Sequence, residues 1–419
     1  MSNIKFGCFG DDFTGASDAA SFIKKAGLKT ILVKDISAAD FVLPEDTEAV
    51  VVALKIRTIP VEEAVAAALA AYDWLVKQGA EHIYYKYCST FDSTDKGNIG
   101  PITDAILEKY NLPSTILCPA LPVNGRTVKD GHLYVNGIPL NETHMRFHPL
   151  TPMLSSFIPT LMEKQGKYEC VLLQDEELRQ ETFVKESETP VYLVPNYTND
   201  ADGENIARLF HKYNFLTGGS GILTPLCRYY KEQGSPAVKE IQTVKVSGRA
   251  LLLAGSCSVA TLGQIARFKE DGGASIKISP EMMFTEDEGI SVLDKVWNNI
   301  QNLQTKEVLI YSSSSPEDVK AAQAKYGMEE VSARLEGLMA GLAQKAAAAG
   351  WEKIVVAGGE TSGAVTEALA ANAYEIGVEI APGVPIMCPL NREKLKLALK
   401  SGNFGGENFF REALELMDN

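Results

Sequence analysis

The sequence predicts an α/β protein of two domains, each a largely parallel sheet with helices on its faces and with the active site in the cleft between them. Three observations carry this. Short apolar runs alternate with amphipathic helical stretches. The alternation lapses once, between Gly234 and Gly248, and restarts at Ala250. The 419 residues suffice for two cores of ordinary size. The expected domains are 1–235 and 249–419.

Taken in order, Ile4–Phe9 is a short apolar run, and Gly10-Asp11-Asp12 turns it into an amphipathic stretch ending near Gly27. Thr30–Val33 and Ala49–Leu54 read as the next strands. After Pro60 a helix is predicted with Val61, Val65, Leu69, Tyr72 and Val76 on one face, punctuated by Pro60 before and Gly79 after. Ile83–Tyr87 and Ser114–Cys118 are further strands. The Gly/Pro-rich stretch from Pro119 to Pro152 keeps recurring apolar and aromatic residues, and long irregular segments inside compact domains are usually functional. Strands resume at Cys170–Leu173 and Val191–Val194. In the second half Ala250–Ala254, Val308–Tyr311 and Lys353–Val356 are strands, and Val331, Leu335, Leu338 and Leu342 mark a helix. Ligands of such sheets bind at the carboxyl ends of the strands.

Composition narrows the partners. A formal net charge of −14 argues against nucleic acid or an anionic membrane surface, whose footprints would be basic. No stretch approaches the ~18 apolar residues of a membrane span, and the start does not read as a signal peptide. Seven scattered cysteines without a CxxC spacing read as reduced, small core residues, so a cytoplasmic protein is expected. A homodimer is compatible with the helix-rich surface.

Five segments carry chemistry. In Gly10-Asp11-Asp12-Phe13-Thr14-Gly15, one carboxylate suffices to cap a helix, and the other can accept a hydroxyl proton or hold Mg²⁺ through water. Lys86–Asn98, with Asp92, Ser93 and Lys96, reads either as a solvated turn or as a loop recognising a polyhydroxy acid. Arg126, in a Pro/Gly-stiffened loop, suits bidentate binding of a carboxylate. His132, His144 and His148 fall close together, but no Cys or carboxylate set completes a metal site. Leu253–Ser258 and Val356–Gly363 each join a strand to a helix through small residues that let a phosphate approach the backbone. With Ser401–Gly406 they make a nucleotide pocket, although neither a Walker A loop nor a dinucleotide fingerprint occurs.

At these segments the sequence resembles the four-carbon acid sugar kinase family. The matching elements are GDDFTGASD, KYCSTFDSTDKGNIGP, PALPVNGRTVKDGHLYVNG, ETHMRFHPLTPM, TGGSGI, AGSCS and AGGETSG, in the family's order over nearly the whole chain. Within it, KYCSTFDST, His148 in HPLTP and the ending LKSGNFG look most like the 3-oxo-tetronate kinase branch.

The resemblance implies a substrate-binding domain over 1–235 and a nucleotide-binding domain over 249–419. It implies ATP- and Mg²⁺-dependent phosphorylation of a C4 hydroxyl of a 3-oxo-tetronate. Substrate contacts would lie among Asp11, Asp12, Arg57, Lys86, Asp92, Ser93 and Arg126, and ATP contacts would be Ser258, Gly359, Glu360, Thr361, Ser362 and Asn403. Lys96 stands where many relatives carry Arg. Lys86 or Lys96 would meet the transferring phosphoryl oxygens, Arg57 or Arg126 the substrate carboxylate, and Asp12, or else Asp92, would take the proton. A kinase for a plain tetronate and a non-catalytic small-acid sensor are the competing readings. A dehydrogenase lacks its fingerprint here, and an aldolase its lysine or metal set.

Overall fold

The structure is a computed structural model that describes residues 4–38, 41–148, 151–183, 187–232, 245–284, 291–313 and 324–419. The chain divides into two compact units, Met1–Lys239 and Glu240–Asn419. The joint expected at Gly234–Gly248 falls largely on 233–244, outside the described residues, as do Pro149 and Leu150 of HPLTP.

The first unit opens with β1 (Phe6–Gly10), α1 (Phe13–Lys25), β2 (Thr30–Val33), β3 (Ala49–Ala53), α2 (Val61–Lys77), β4 (His82–Lys86), α3 (Ile99–Lys109) and β5 (Ser114–Cys118). The segment predicted as irregular holds a small antiparallel sheet, β6 (Arg126–Lys129), β7 (His132–Val135) and β8 (Ile138–Pro139). Then come α4 (Ile158–Glu163), β9 (Glu169–Leu173), α5 (Asp175–Leu178), β10 (Val191–Pro195), α6 (Asp200–Phe210), β11 (Phe215–Gly218) and α7 (Leu223–Glu232). The main sheet is parallel throughout, in the order β2-β3-β1-β4-β11-β5-β10-β9. Both β2 and β3 are buried along their whole length, which is why they read TILV and AVVVA without alternation.

One helix face departs from expectation. In α2 the buried residues are Ala64, Ala68, Ala71, Tyr72 and Leu75, whereas Val76 is 48% exposed. Close approach to the sheet selects alanine over valine here: a Cβ on Gly7 of β1 would stand 3.2 Å from Leu75 Cβ.

The second unit contains β12 (Ala250–Ala254), α8 (Val259–Glu270), β13 (Ser275–Lys277), α9 (Val292–Asn302), β14 (Glu307–Tyr311), α10 (Met328–Ala348), β15 (Lys353–Ala357), α11 (Gly359–Ala368), β16 (Ala373–Ala381), β17 (Val384–Pro389), β18 (Lys396–Lys400) and α12 (Phe409–Asp418). Its strand order is β13-β14-β12-β15-β18-β17-β16, parallel except where β17 runs against both of its neighbours. Phe409, Phe410, Ala413, Leu414 and Met417 of α12 close the core over β12, β15 and β18. The helix expected around Val331–Leu342 is α10, with Val331, Leu338 and Leu342 buried.

The two units share one winding. In the first, the chain leaves β1, places β2 and β3 on one side and returns with β4 on the other; β12, β13, β14 and β15 repeat this. Each unit therefore has a topological switch point beside its first strand, where loops after adjacent strands diverge and leave a crevice.

Candidate functional site

In the first unit, the loops after β1, β3 and β4 meet at the switch point. Asp11 follows β1 directly; its N–H donates to Lys86 O at 3.0 Å, and its carbonyl accepts from Ile56 N at 3.0 Å, tying the three loops together. Arg57, carried after β3, directs its guanidinium at three carboxylates. Nε and Nη2 donate to the two oxygens of Asp11 at 2.8 and 3.0 Å, Nη2 also meets Asp12 Oδ2 at 2.8 Å, and Nη1 donates to Asp92 Oδ2 at 3.1 Å. A planar fork with five donors is the one side chain able to do this.

Asp11 is 3% exposed. Burial pushes its pKa above the ordinary aspartate value, against the pull of Arg57. Burial also works against the Arg57 charge, but Asp11 and Asp12 outweigh it and raise its pKa above the usual arginine range. Asp12 caps α1 by accepting from Gly15 N, so the capping role weighed for this pair belongs to Asp12, which serves Arg57 as well. Its side chain is 35% exposed, against 3% for Asp11 and 11% for Asp92. Lys86, the last residue of β4, is buried. A Cβ on Gly15 would stand 3.1 Å from its Nζ and 3.7 Å from Asp11 Oδ1, which locates the ammonium beside the first turn of α1.

Asp92 sits in a strained loop. Phe91 and Asp92 both have left-handed backbones, φ 64° and 48°, rare for residues other than glycine. Phe91 is fully buried against Tyr87. Asp92 is fixed by Arg57 and by the Thr151 hydroxyl, whose Oγ1 also lies 2.7 Å from His148 Nδ1.

The remaining candidates divide. Ser93 is buried and donates to Gln165 Oε1 at 3.2 Å. Lys96 is exposed, and its backbone N–H donates to Thr94 Oγ1. Arg126 opens β6 in the loop region after β5; its Nη1 donates to Asn124 O, while its buried Nε has no partner among the described residues. Asn98, which the sequence did not single out, donates from Nδ2 to Ile56 O at 2.7 Å and Ile59 O at 3.0 Å and so holds the Arg57 loop from below. Among the described residues, no three His, Cys, Asp or Glu side chains are grouped to hold a metal ion.

In the second unit, three loops converge at the corresponding place. Gly255 N and Ser256 N, after β12, donate to Ala357 O at 3.0 and 3.2 Å, and Gly358 N, after β15, donates to Lys400 O at 2.9 Å. Ser258 caps α8, and its hydroxyl donates to Gly402 O at 2.6 Å. Gly358 takes φ +137°, a conformation that glycine adopts without strain. A Cβ on Gly255 would be 2.2 Å from Thr361 Oγ1, so the loops meet only if that position is bare. Gln264 Nε2 holds Phe404, Gly405 and Gly406 by their carbonyls at 3.0–3.1 Å.

This surface fits a polyphosphate. The first N–H groups of α11, at Gly359, Glu360 and Thr361, have no intrahelical acceptor and face the positive end of the helix. A Cβ on Gly359 or Gly363 would meet nothing within 4 Å. Ser362 is 6% exposed, yet among the described residues its hydroxyl has no hydrogen-bond partner, as expected of a group that can take a ligand oxygen. Glu360 and Asn403 are exposed at the rim.

Known protein families match both units. Residues 6–226 match the model of a sugar-binding N-terminal domain, and residues 251–410 that of a nucleotide-binding C-terminal domain. The chain is 41% identical to a 3-oxo-tetronate kinase of Brucella melitensis biotype 1, over 99% of this chain and 96% of that one. It is also 41% identical to a 3-oxo-tetronate kinase of Cupriavidus necator, over 97% and 96%. A crystal structure from Salmonella typhimurium LT2, provisionally described as a tRNA synthase, matches with a TM-score of 0.88 at 36% identity over 98% of both chains.

Proposed function

This chain belongs to the four-carbon acid sugar kinase family, and from that premise we propose that it is an ATP-dependent 3-oxo-tetronate kinase that phosphorylates the C4 hydroxyl of its substrate. The observation that carries the chemistry is the binding of Asp11, Asp12 and Asp92 to the single guanidinium of Arg57 at the switch point of the first unit.

Phosphoryl transfer asks mainly for placement and charge neutralisation. Asp12, the most exposed of the three carboxylates, is our choice for the group that accepts the substrate hydroxyl proton as transfer proceeds. Arg57 commits four donor contacts to protein carboxylates. We therefore assign it to positioning, and give the substrate carboxylate to Arg126, whose Nε lacks a partner. Lys86 supplies a second cation beside the first turn of α1 and is assigned to the oxygens of the bound acid or of the group in transit. Asp92, locked in its left-handed turn, shapes the substrate pocket together with Ser93. Lys96, exposed and apart from the cluster, is assigned at most a contact at the pocket rim.

In the second unit, Ser258, Gly359, Glu360, Thr361, Ser362 and Asn403 form the proposed nucleotide site. Mg²⁺ would enter with the nucleotide, since this ion takes few protein carboxylates and keeps phosphate and water ligands; when bound it neutralises phosphate charge. The seven cysteines are all unpaired, which supports a cytoplasmic protein. No described helix is long and apolar enough to cross a membrane.

The regiochemistry is tested on the product of a ¹³C-labelled 3-oxo-tetronate. Coupling of ³¹P to the terminal CH₂ carbon is expected; coupling to a secondary carbon would overturn the C4 assignment.

A further inference from the structure

Beneath the turn that carries Asn403 lies a lysine that this scheme leaves unused. Lys400 ends β18 and is 1% exposed. Its ammonium donates to Gly402 O at 2.9 Å, Ser401 O at 3.1 Å and Thr261 Oγ1 at 3.1 Å, with the Phe409 ring centroid 5.7 Å away. Gly402 O is reached as well by Ser258 Oγ at 2.6 Å and by Thr261 Oγ1 at 2.9 Å. Three donors therefore converge on Gly402 O, two of them from the start of α8 and the third from Lys400, which also donates to Thr261.

All the acceptors of this ammonium are uncharged. The ionisable groups on the elements around it are engaged elsewhere or exposed, as Glu270, Glu367 and Glu415 are. Lys353 on β15 pairs with Asp418, Lys396 on β18 donates to Met417 O, Arg267 on α8 pairs with Asp271, and Arg411 on α12 pairs with Glu307. Lys269 on α8 reaches the Tyr311 hydroxyl, Glu360 on α11 acts on Glu336, and Glu412 on α12 is exposed. Lys353, also buried in this sheet, has a carboxylate partner, whereas among the described residues Lys400 has hydrogen bonds alone. A buried charge left in this condition is costly until an anion compensates it.

We infer that Lys400 is a positioning residue of the nucleotide site: its ammonium fixes the Ser401–Asn403 turn onto α8, and its uncompensated charge is matched by the phosphates when a nucleotide binds there. The inference rests on the nucleotide reading of this pocket. Burial alone lowers the Lys400 pKa to about 8. An arriving phosphate favours the charged form and raises that pKa again, so nucleotide binding near pH 8 takes up a proton and weakens as pH rises further.

Titration calorimetry with ADP at pH 8, in two buffers of different ionisation enthalpy, reads this directly. The wild-type protein is expected to take up roughly half a proton per ADP bound. Lys400→Arg, charged at every accessible pH, is expected to show no uptake. Lys400→Met is expected to bind ADP about tenfold more weakly, again without uptake, as for the loss of one charge-assisted contact. If Lys400→Met fails to fold, the wild type and Lys400→Arg still decide the matter. ADP binding by the wild type without proton uptake, or uptake that persists in Lys400→Arg, overturns the inference alone. Failure of the wild type to bind ADP overturns the nucleotide reading and this inference with it.

Discussion

Replacing Arg57 by methionine keeps the apolar stem of the side chain and removes the cation shared by Asp11, Asp12 and Asp92. Taking one partner from a buried ion pair costs about 3–5 kcal/mol, because the charge left behind has no compensation. Arg57 is 23% exposed and Asp12 35%, so solvent screens part of the loss, and about 3 kcal/mol is the working figure. That corresponds to local opening of β1 and β4 on the order of 100-fold more often, which hydrogen exchange of peptides covering Phe6–Gly10 and His82–Lys86 measures. The sign of the pH dependence follows from Asp11. Burial already raises its folded pKa, and loss of Arg57 raises it further. A carboxyl whose folded pKa lies above its unfolded value of about 3.9 costs stability above that value, and the cost disappears as protonation proceeds. The variant therefore approaches the wild type as pH falls towards the unfolded value. Unchanged exchange at pH 7 together with a raised KM for the acid would refute the reasoning and return Arg57 to a substrate-gripping role.

Two further substitutions separate roles within the sites. Asn caps a helix as well as Asp, so Asp12→Asn is expected to preserve α1 while lowering kcat by ~10²–10⁴; steady-state kinetics showing a loss confined to KM would make Asp12 a binding residue. Ser362→Ala removes a hydroxyl without a partner, so thermal unfolding of the free protein should be unchanged while KM for ATP rises about five- to tenfold; a matched fall in stability would mean that the hydroxyl serves the fold.

The winding was legible because parallel strands buried on both faces write themselves as apolar runs, as in Val50-Val51-Val52 and Leu251-Leu252-Leu253. The strands β16 to β18 were harder to read. Glu375 and Glu379 interrupt the first, and β18 is bounded by Lys396 and Lys400, buried lysines whose hydrogen bonds no local pattern reveals. At the sites, the loop that carries each function was visible in its small and charged residues, but the partners were not. Thr151 meets Asp92 from 59 positions away, and Thr261 meets Lys400 from 139. The resemblance offered Arg57 to the substrate carboxylate, since only the folded arrangement brings three protein carboxylates to it. Asn98 and Gln264 act by holding backbone carbonyls, a role that leaves no motif.

The central claim is tested most directly by a coupled ADP-release assay with Mg²⁺-ATP against 3-oxo-tetronates, the parent tetronates and unrelated sugars. The account predicts turnover on a 3-oxo-tetronate well above that on threonate or erythronate. Faster turnover on a plain tetronate would contradict the substrate assignment, and no ADP release with any four-carbon acid would contradict the kinase itself.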